Sequence, residues 1–255
     1  LSIIEEAEAS PREQEIRELN VGVYVFDADF LWEHLPKLKP SANKGELYLT
    51  DLIGMASRTR RPIVSVTADD PAETLGINTR VDLAAAEAVL RQRINREWML
   101  SGVTLMAPAT ITIGPEVTIG RDTVIHANTH LRGATTIGEA CEIGPNTIIE
   151  HCTLGQRCRV LASVLEHAVM EDDTDIGPFG HLRKGARMCE GAHMGNFGEM
   201  KNSTLGPGAK MGHFSYLGDA EIGEAVNIGA GTITCNYDGK RKHRTVIEKG
   251  AFIGS

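Results

Sequence analysis

From about residue 108 onward, a branched apolar residue recurs every six positions: Ile113, Ile119, Ile125, Leu131, Ile137, Ile143 and Ile149. Leu154 and Val160 follow a five-residue step, and Ile176, Leu182, Met188, Met194 and Met200 restore the six. Leu205, Met211, Leu217, Ile222, Ile228, Ile247 and Ile253 carry the pattern on. A period of six matches neither the 3.6 of a helix nor the 2 of a flat strand. It fits a coil with three short straight sides, each turning one residue inward, stacked so that successive coils bury a continuous apolar column. An ordinary β-sandwich would not land six consecutive steps of six on Ile or Leu. The pattern therefore predicts a parallel β-solenoid. Glycine follows the apolar residue at Gly114, Gly120, Gly138, Gly155 and Gly206, among others. It is expected there to relieve crowding where the chain turns each corner, since only glycine takes unusual φ/ψ cheaply.

The repeat breaks between Ile228 and Ile247. The gap holds Asn236-Tyr-Asp-Gly-Lys-Arg-Lys-His-Arg244, a loop by composition. Loops that leave a regular scaffold are where binding residues concentrate.

The first hundred residues read differently. Strands are predicted at LSIIEE, at Val21–Phe26 and at Pro62–Thr67. Helices are predicted over Asp27–Leu35, over Tyr48–Ala56, and over Asp82–Leu100 with Asp82 as its cap. Strands alternating with helices indicate an α/β layer domain, of which this piece holds only part. Three segments result: residues 1–81, a linking helix over 82–104, and the solenoid over 105–255. The start at Leu1 inside an apolar run and the stop at Ser255 in mid-repeat both read as cuts.

A formal net charge of -8 over 255 residues argues against a nucleic-acid surface, which demands a basic patch. It leaves room for phosphorylated small molecules, which need only two or three local cations. No stretch approaches the roughly 20 apolar residues of a membrane span. The cysteines Cys141, Cys152, Cys158, Cys189 and Cys235 are odd in number and form no CxxC. They read as small buried thiols of a reducing compartment rather than a disulfide framework or zinc site.

Polar groups cluster over 191–201, 212–219 and 226–238. His213 follows the inward Met211-Gly212 pair, so it falls at a corner and can face outward. Its ordinary pKa of about 6.5 suits a general base for acyl transfer to an amine. Arg183 and Lys201 lie one expected coil apart and would stack as a pocket for a phosphate dianion. Asn227 and Tyr216 could bond sugar hydroxyls. Against this, a lone histidine is more often structural. His126, His130, His151, His167, His181 and His193 also leave a metal enzyme on the same coil as an alternative, as they do a non-catalytic scaffold.

The run GHFSYLGDAEIGEAVNIGAGTITCNYDG, with GPFGHLRKGA and EGAHMGNFGEMKN upstream, closely resembles the acetyltransferase domain of a known family. This is the bacterial bifunctional N-acetylglucosamine-1-phosphate uridyltransferase/glucosamine-1-phosphate N-acetyltransferase. ELNVGVYVF, KGELYLTDLI and LGINTRVDL resemble the same family, so the likeness covers essentially the whole chain in order. It implies the end of a Rossmann-like nucleotidyltransferase domain, a linking helix, and a left-handed parallel β-helix of hexapeptide repeats. By resemblance, His213 is the general base, Arg183, Lys201, Tyr216 and Asn227 hold the sugar phosphate, and Ala230, Asn236, Tyr237 and Ser255 contact acetyl-CoA. Glu5, Asn20 and Asn78 resemble binders of the nucleotide sugar UDP-N-acetylglucosamine, Asn78 also as a ligand of Mg²⁺. The implied reactions are acetyl transfer from acetyl-CoA to glucosamine 1-phosphate, then uridylyl transfer from UTP with Mg²⁺. These feed peptidoglycan and lipopolysaccharide precursors. The family further implies a cytoplasmic homotrimer. Two departures stand out. The family's glycine-rich loop, its lysine and its metal-binding aspartate precede this chain, and Lys184 stands where proline is common.

Overall fold

The computed structural model describes residues 1–5, 8–41 and 44–254. It divides into two compact units, Leu1–Ala86 and Glu87–Ser255.

The first unit is held by a small core. Helix α1, Ala28–His34, starts where Asp27 accepts the backbone N–H of Phe30 at 2.9 Å. Helix α2, Asp51–Arg58, buries Leu52, Gly54 and Ala56. Phe30, Leu52 and Ala56 pack together, with Phe26, Leu31, Leu35, Leu38, Met55 and Ile63 around them. The α-helix stops before Pro36, and a 3₁₀ segment follows over Leu35–Lys37, where proline is tolerated in the first turn because its missing N–H has no partner to lose. The predicted strands do not form among the described residues. Val21–Phe26 and Pro62–Thr67 are extended or irregular, outside any ladder. Val25 and Val66 are 100% and 93% exposed. A strand needs a neighbour for its backbone groups and a second layer for its side chains, and these valines have neither.

Helix α3, Arg80–Leu100, begins two residues earlier than expected. Thr79 is its cap: its hydroxyl accepts the N–H of Asp82 at 3.2 Å, and the Asp82 carboxylate accepts the N–H of Thr79 at 2.7 Å. That reciprocal pair is a capping box, and it places Asp82 inside the first turn rather than at the cap. At the other end of α3, Ile94 and Trp98 pack against the solenoid core. Buried Asn95 donates to the carbonyls of Pro108 and Ile111 at 2.8 and 3.1 Å. The last turns of α3 thus cover the open end of the first coil, a cover every solenoid needs because its terminal coil lacks a neighbour.

The second unit is the expected solenoid, a parallel β-helix of about 7 turns. Every ladder in it is parallel and joins one coil to the next, as in Thr112–Ile113 against His130–Arg132. Three columns of side chains point inward. Leu105, Ile125, Ile143, Val160, Ile176, Met194, Met211 and Ile228 form the first. Ile113, Leu131, Ile149, Leu165, Leu182, Met200 and Leu217 form the second. Ile119, Ile137, Leu154, Met170, Met188, Leu205, Ile222 and Ile247 form the third. Leu165 and Met170 bridge the stretch where the sequence period lapses, and both are buried. Small residues line the layer beside the columns, among them Thr123, Cys141, Cys152 and Cys158. All five cysteines are free.

Glycines after the inward residue relieve crowding as expected: a Cβ on Gly120 would meet the backbone nitrogen of Glu139 at 2.5 Å, and one on Gly206 the carbonyl carbon of Gly223 at 2.6 Å. Backbone angle adds to this at Gly144 and Gly177, with φ of 99° and 114°. Other left-handed corner residues are not glycine: Asp122, Asn128, Ala140, Asn146, Arg157, Asp173 and Asn202 among them.

Candidate active site

Two strands depart from the two- and three-residue norm of the solenoid. His193–Lys201 and Lys210–Gly218 each run nine residues and carry the chain around one corner without a break. Their register pairs Asn196 with His213, Glu199 with Tyr216, and Lys201 with Gly218. This doubled sheet carries Lys201, His213 and Tyr216 of the candidate residues.

His213 is exposed at the corner. Its Nδ1 lies 3.2 Å from the side-chain oxygen of Asn196, one coil below. Donation from Nδ1 suits that amide oxygen, which only accepts. An imidazole protonated at Nδ1 keeps its lone pair on Nε2, the state a general base requires. The partner seventeen residues upstream is invisible to a reading that counts eighteen per coil; a five-residue step at Met200–Leu205 shortens this one. Gly231 donates its N–H to the carbonyl of Phe214 at 2.6 Å, which sets Ala230 one coil beyond His213. Asn196, His213 and Ala230 therefore line the same corner.

Arg183 and Lys201 stack as expected: Leu182 pairs with Met200, and Arg183 donates its N–H to the carbonyl of Met200 at 2.8 Å. They are not two free cations, however. The Arg183 guanidinium donates to Glu199 at 2.8 Å. That hydrogen bond, then the charges of Glu199, Tyr216 and Glu166, hold the guanidinium above its ordinary pKa. A phosphate arriving here meets a guanidinium already oriented by a carboxylate. Tyr216 lies on this same second face, clamped by its N–H to Thr232 at 2.9 Å and its carbonyl to Thr234 at 3.1 Å.

Asn227 is elsewhere. It pairs with Lys210 on the first face, outward beside inward Ile228. Its column and the Arg183–Lys201–Tyr216 group thus lie on two faces with the His213 corner between them. One chain does not bring them into a single pocket.

The loop over 236–244 folds back on Asp219. Asn236 and Asn202 both donate to the Asp219 carboxylate, and Lys242 lies 3.9 Å from it. The hydrogen bond from Asn202 leads in holding Asp219 below its ordinary pKa, with Asn236 and the nearby lysines adding to it. Tyr237 pairs with Lys242 across the loop and its hydroxyl donates to the carbonyl of Gly239 at 2.8 Å. Asp219 was not singled out from sequence; its signal is an acid one coil from an Asn at 202 and from the Asn at 236. Ser255 lies outside the described residues.

In the first unit, Glu5 accepts from the Thr50 hydroxyl at 2.9 Å, Asn20 donates to the Tyr24 hydroxyl at 2.6 Å, and Asn78 is exposed, its N–H bonded to Asp82. Each of the three is thus bonded to a different partner: Thr50, Tyr24 and Asp82. Of the other histidines, His126, His181 and His193 each pair with a carboxylate of a neighbouring coil, at 3.2, 3.0 and 2.7 Å. His151 and His167 stack ring on ring at 4.9 Å. Among the described residues, no group of three or more His, Cys, Asp or Glu could hold a metal. No described helix is long and apolar enough to cross a membrane.

No protein-family model matches the chain. Curated relatives do. The "Bifunctional protein GlmU" of Trichlorobacter lovleyi is 46% identical over 254 residues, covering 99% of this chain and 55% of the relative. Those of Heliobacterium modesticaldum and Thermotoga petrophila are 46% and 47% identical, with 56% of each relative covered. Among solved structures, a UDP-N-acetylglucosamine acyltransferase of Francisella novicida is 19% identical, with a TM-score of 0.27 over 50% of this chain and 59% of that one. The chain spans about half the length of the curated relatives it matches. Over the half of those relatives that it spans, the chain is similar along essentially its whole length to the bifunctional GlmU proteins.

Proposed function

We propose that the solenoid carries acetyl transfer from acetyl-CoA to the amine of glucosamine 1-phosphate. The observation that carries this reading is the His213–Asn196 pair: Nδ1 3.2 Å from the amide oxygen, at an exposed corner next to the Arg183–Lys201 column. Nε2 takes the proton from the substrate amine as its nitrogen attacks the thioester carbonyl. The tetrahedral oxyanion is stabilised by donors near the 236–237 turn, and collapse expels the thiolate of coenzyme A. Arg183 and Lys201 hold the phosphate, Tyr216 and Asn227 the sugar, and Ala230, Asn236, Tyr237 and Ser255 the acetyl-CoA.

The split of these residues over two faces supports a homotrimer. The first face of one solenoid, with Asn227, would meet the second face of its neighbour, with Arg183, Lys201 and Tyr216, and His213 at the seam. Exposed Phe179, Phe197 and Phe214 climb the same corner, and Phe179 stacks on Phe197 at 5.3 Å. Such an aromatic edge suits burial between subunits.

In this reading residues 1–81 belong to the uridyltransferase part, 82–104 to the linker and 105–255 to the acetyltransferase. The whole protein would then join the acetylated product to UTP, giving UDP-N-acetylglucosamine for peptidoglycan and lipopolysaccharide precursors in the cytoplasm, with Glu5, Asn20 and Asn78 at the nucleotide sugar. The residues present do not make a Mg²⁺ site. Asn78 offers one exposed amide, and the nearest carboxylate, Asp82, is engaged in the capping box, whereas Mg²⁺ demands near-octahedral oxygen ligands with carboxylates among them.

The test is thiol release from acetyl-CoA in the presence of glucosamine 1-phosphate, with the full-length protein and its His213→Ala variant. Release that depends on the sugar phosphate and collapses in the variant supports the reading. Equal rates in both would reject His213 as the base and favour a non-catalytic scaffold.

A further inference from the structure

On the second face, outward positions repeat coil by coil. Arg183 stacks with Lys201, and Lys201 pairs in register with Gly218. The column thus runs arginine, lysine, and then a residue with no side chain. Tyr216 starts in the adjacent column, paired with Glu199. Its ring does not rise from its own position but leans along the strand over Gly218. A Cβ built on Gly218 would meet the Tyr216 hydroxyl and would lie 2.7 Å from both Cε1 and Cζ, well inside carbon–carbon contact.

The reason for glycine at 218 differs from that at the solenoid corners. Gly120 and Gly206 are crowded by the backbone of the next coil, whereas the nearest neighbours of Gly218 all belong to the one phenol ring. Its φ lies outside the left-handed region, so its backbone angles are open to any residue. The phenol alone requires the missing Cβ. The Tyr216 backbone is bonded on both sides, to Thr232 and Thr234, so a Cβ at 218 would be accommodated by rotation of the ring, with the coil left in place.

We propose that Gly218 is a positioning residue for sugar-phosphate recognition: by lacking a side chain it seats the Tyr216 phenol in the cation column formed by Arg183 and Lys201. The proposal rests on the reading that this column binds glucosamine 1-phosphate. An alanine at 218 turns the hydroxyl away from the substrate while leaving His213 and the acetyl-CoA residues untouched, so its effect falls on substrate affinity.

The experiment compares Gly218→Ala, Tyr216→Phe and the double variant in the full-length protein by initial rates of thiol release at varied glucosamine 1-phosphate. A misplaced hydrogen bond to a charged ligand predicts a KM for the sugar phosphate raised about tenfold in Gly218→Ala. The KM for acetyl-CoA, kcat and the thermal midpoint stay near the parent values. The double variant should match Tyr216→Phe alone, because no hydroxyl remains to misplace. A Gly218→Ala protein with unchanged KM beside an impaired Tyr216→Phe overturns the positioning role, and so do effects of the two substitutions that simply multiply. If Tyr216→Phe and Arg183→Ala both leave the sugar-phosphate KM unchanged, the sugar-phosphate reading itself has failed.

Discussion

Ile149 and Val25 have similar side chains and opposite fates. Ile149 is fully buried in the second column of the solenoid, and Val25 is 100% exposed in the first unit. Both sit in runs that read as strands. The difference lies in what each strand can pair with. Every coil of the solenoid carries its own neighbours above and below, so a local repeat suffices to complete the ladder and the core. The valine segments of the first unit depend on partners distant in sequence. Repeat architecture makes local information nearly sufficient, while an α/β layer spreads it along the chain.

The sharpest way to break this comparison is to ask whether the chemistry resides wholly in the repeating half. His213→Ala should lower kcat for acetyl transfer by about 10²- to 10⁴-fold, measured by thiol release, while Asn78→Ala leaves that rate unchanged. A loss in Asn78→Ala would mean that the first unit contributes to the acetyl-transfer site.

Stability should divide the same way. Ile149→Ala removes a buried column residue and should cost about 2–5 kcal/mol. Val25→Ala should change stability by no more than about 0.5 kcal/mol. Denaturant unfolding of both variants checks this; a costly Val25→Ala would show that the valine is covered in solution.

A smaller effect concerns the loop. Asp219 ties Asn202 and Asn236 together and has Lys242 near it. These partners hold its folded pKa below the ordinary 3.8. Its stabilisation is therefore present above pH 4 or so and is lost as pH falls through the depressed value. In Asp219→Asn the amide of His243, bonded to the Asn236 carbonyl at 2.7 Å, should exchange several-fold faster at neutral pH. Hydrogen exchange by mass spectrometry reads this directly, and unchanged protection would show that the loop is held by other contacts.

The smallest effect is on thiol reactivity. Cys235 is exposed, whereas Cys141, Cys152 and Cys158 are buried, and burial pushes the Cys152 thiol up to about 11. A thiol reagent should modify Cys235 first and reach the three buried thiols only as the solenoid opens. Rapid reaction at Cys152 in the native protein would mean that the column is looser than its burial implies.

Much of the site was legible before any coordinates. The six-residue period places side chains inward or outward by position alone, which is why His213, Arg183 and Lys201 could be assigned to the outer surface, and the latter two to one column. The period could not find Asn196 as the partner of His213, since shortened coils shift the register by one residue. Nor could it show Glu199 already bonded to Arg183, Asp219 gathering the loop, or Asn227 on a different face from the other sugar-phosphate candidates. Corner glycines were legible as relief of crowding, and they do admit the next coil, while Asn, Asp and other residues take many of the left-handed angles.

By itself, then, the sequence determined the solenoid, its inward columns and its loop, because each of these depends on residues a few positions or one coil apart. Only the tertiary structure decided which residue faces His213, which carboxylate occupies Arg183, where the Tyr216 ring lies, and that the candidate residues divide over two faces. Those features depend on distances of a few tenths of an ångström between side chains from different coils, and small changes in coil length move them without disturbing the hydrophobic pattern at all.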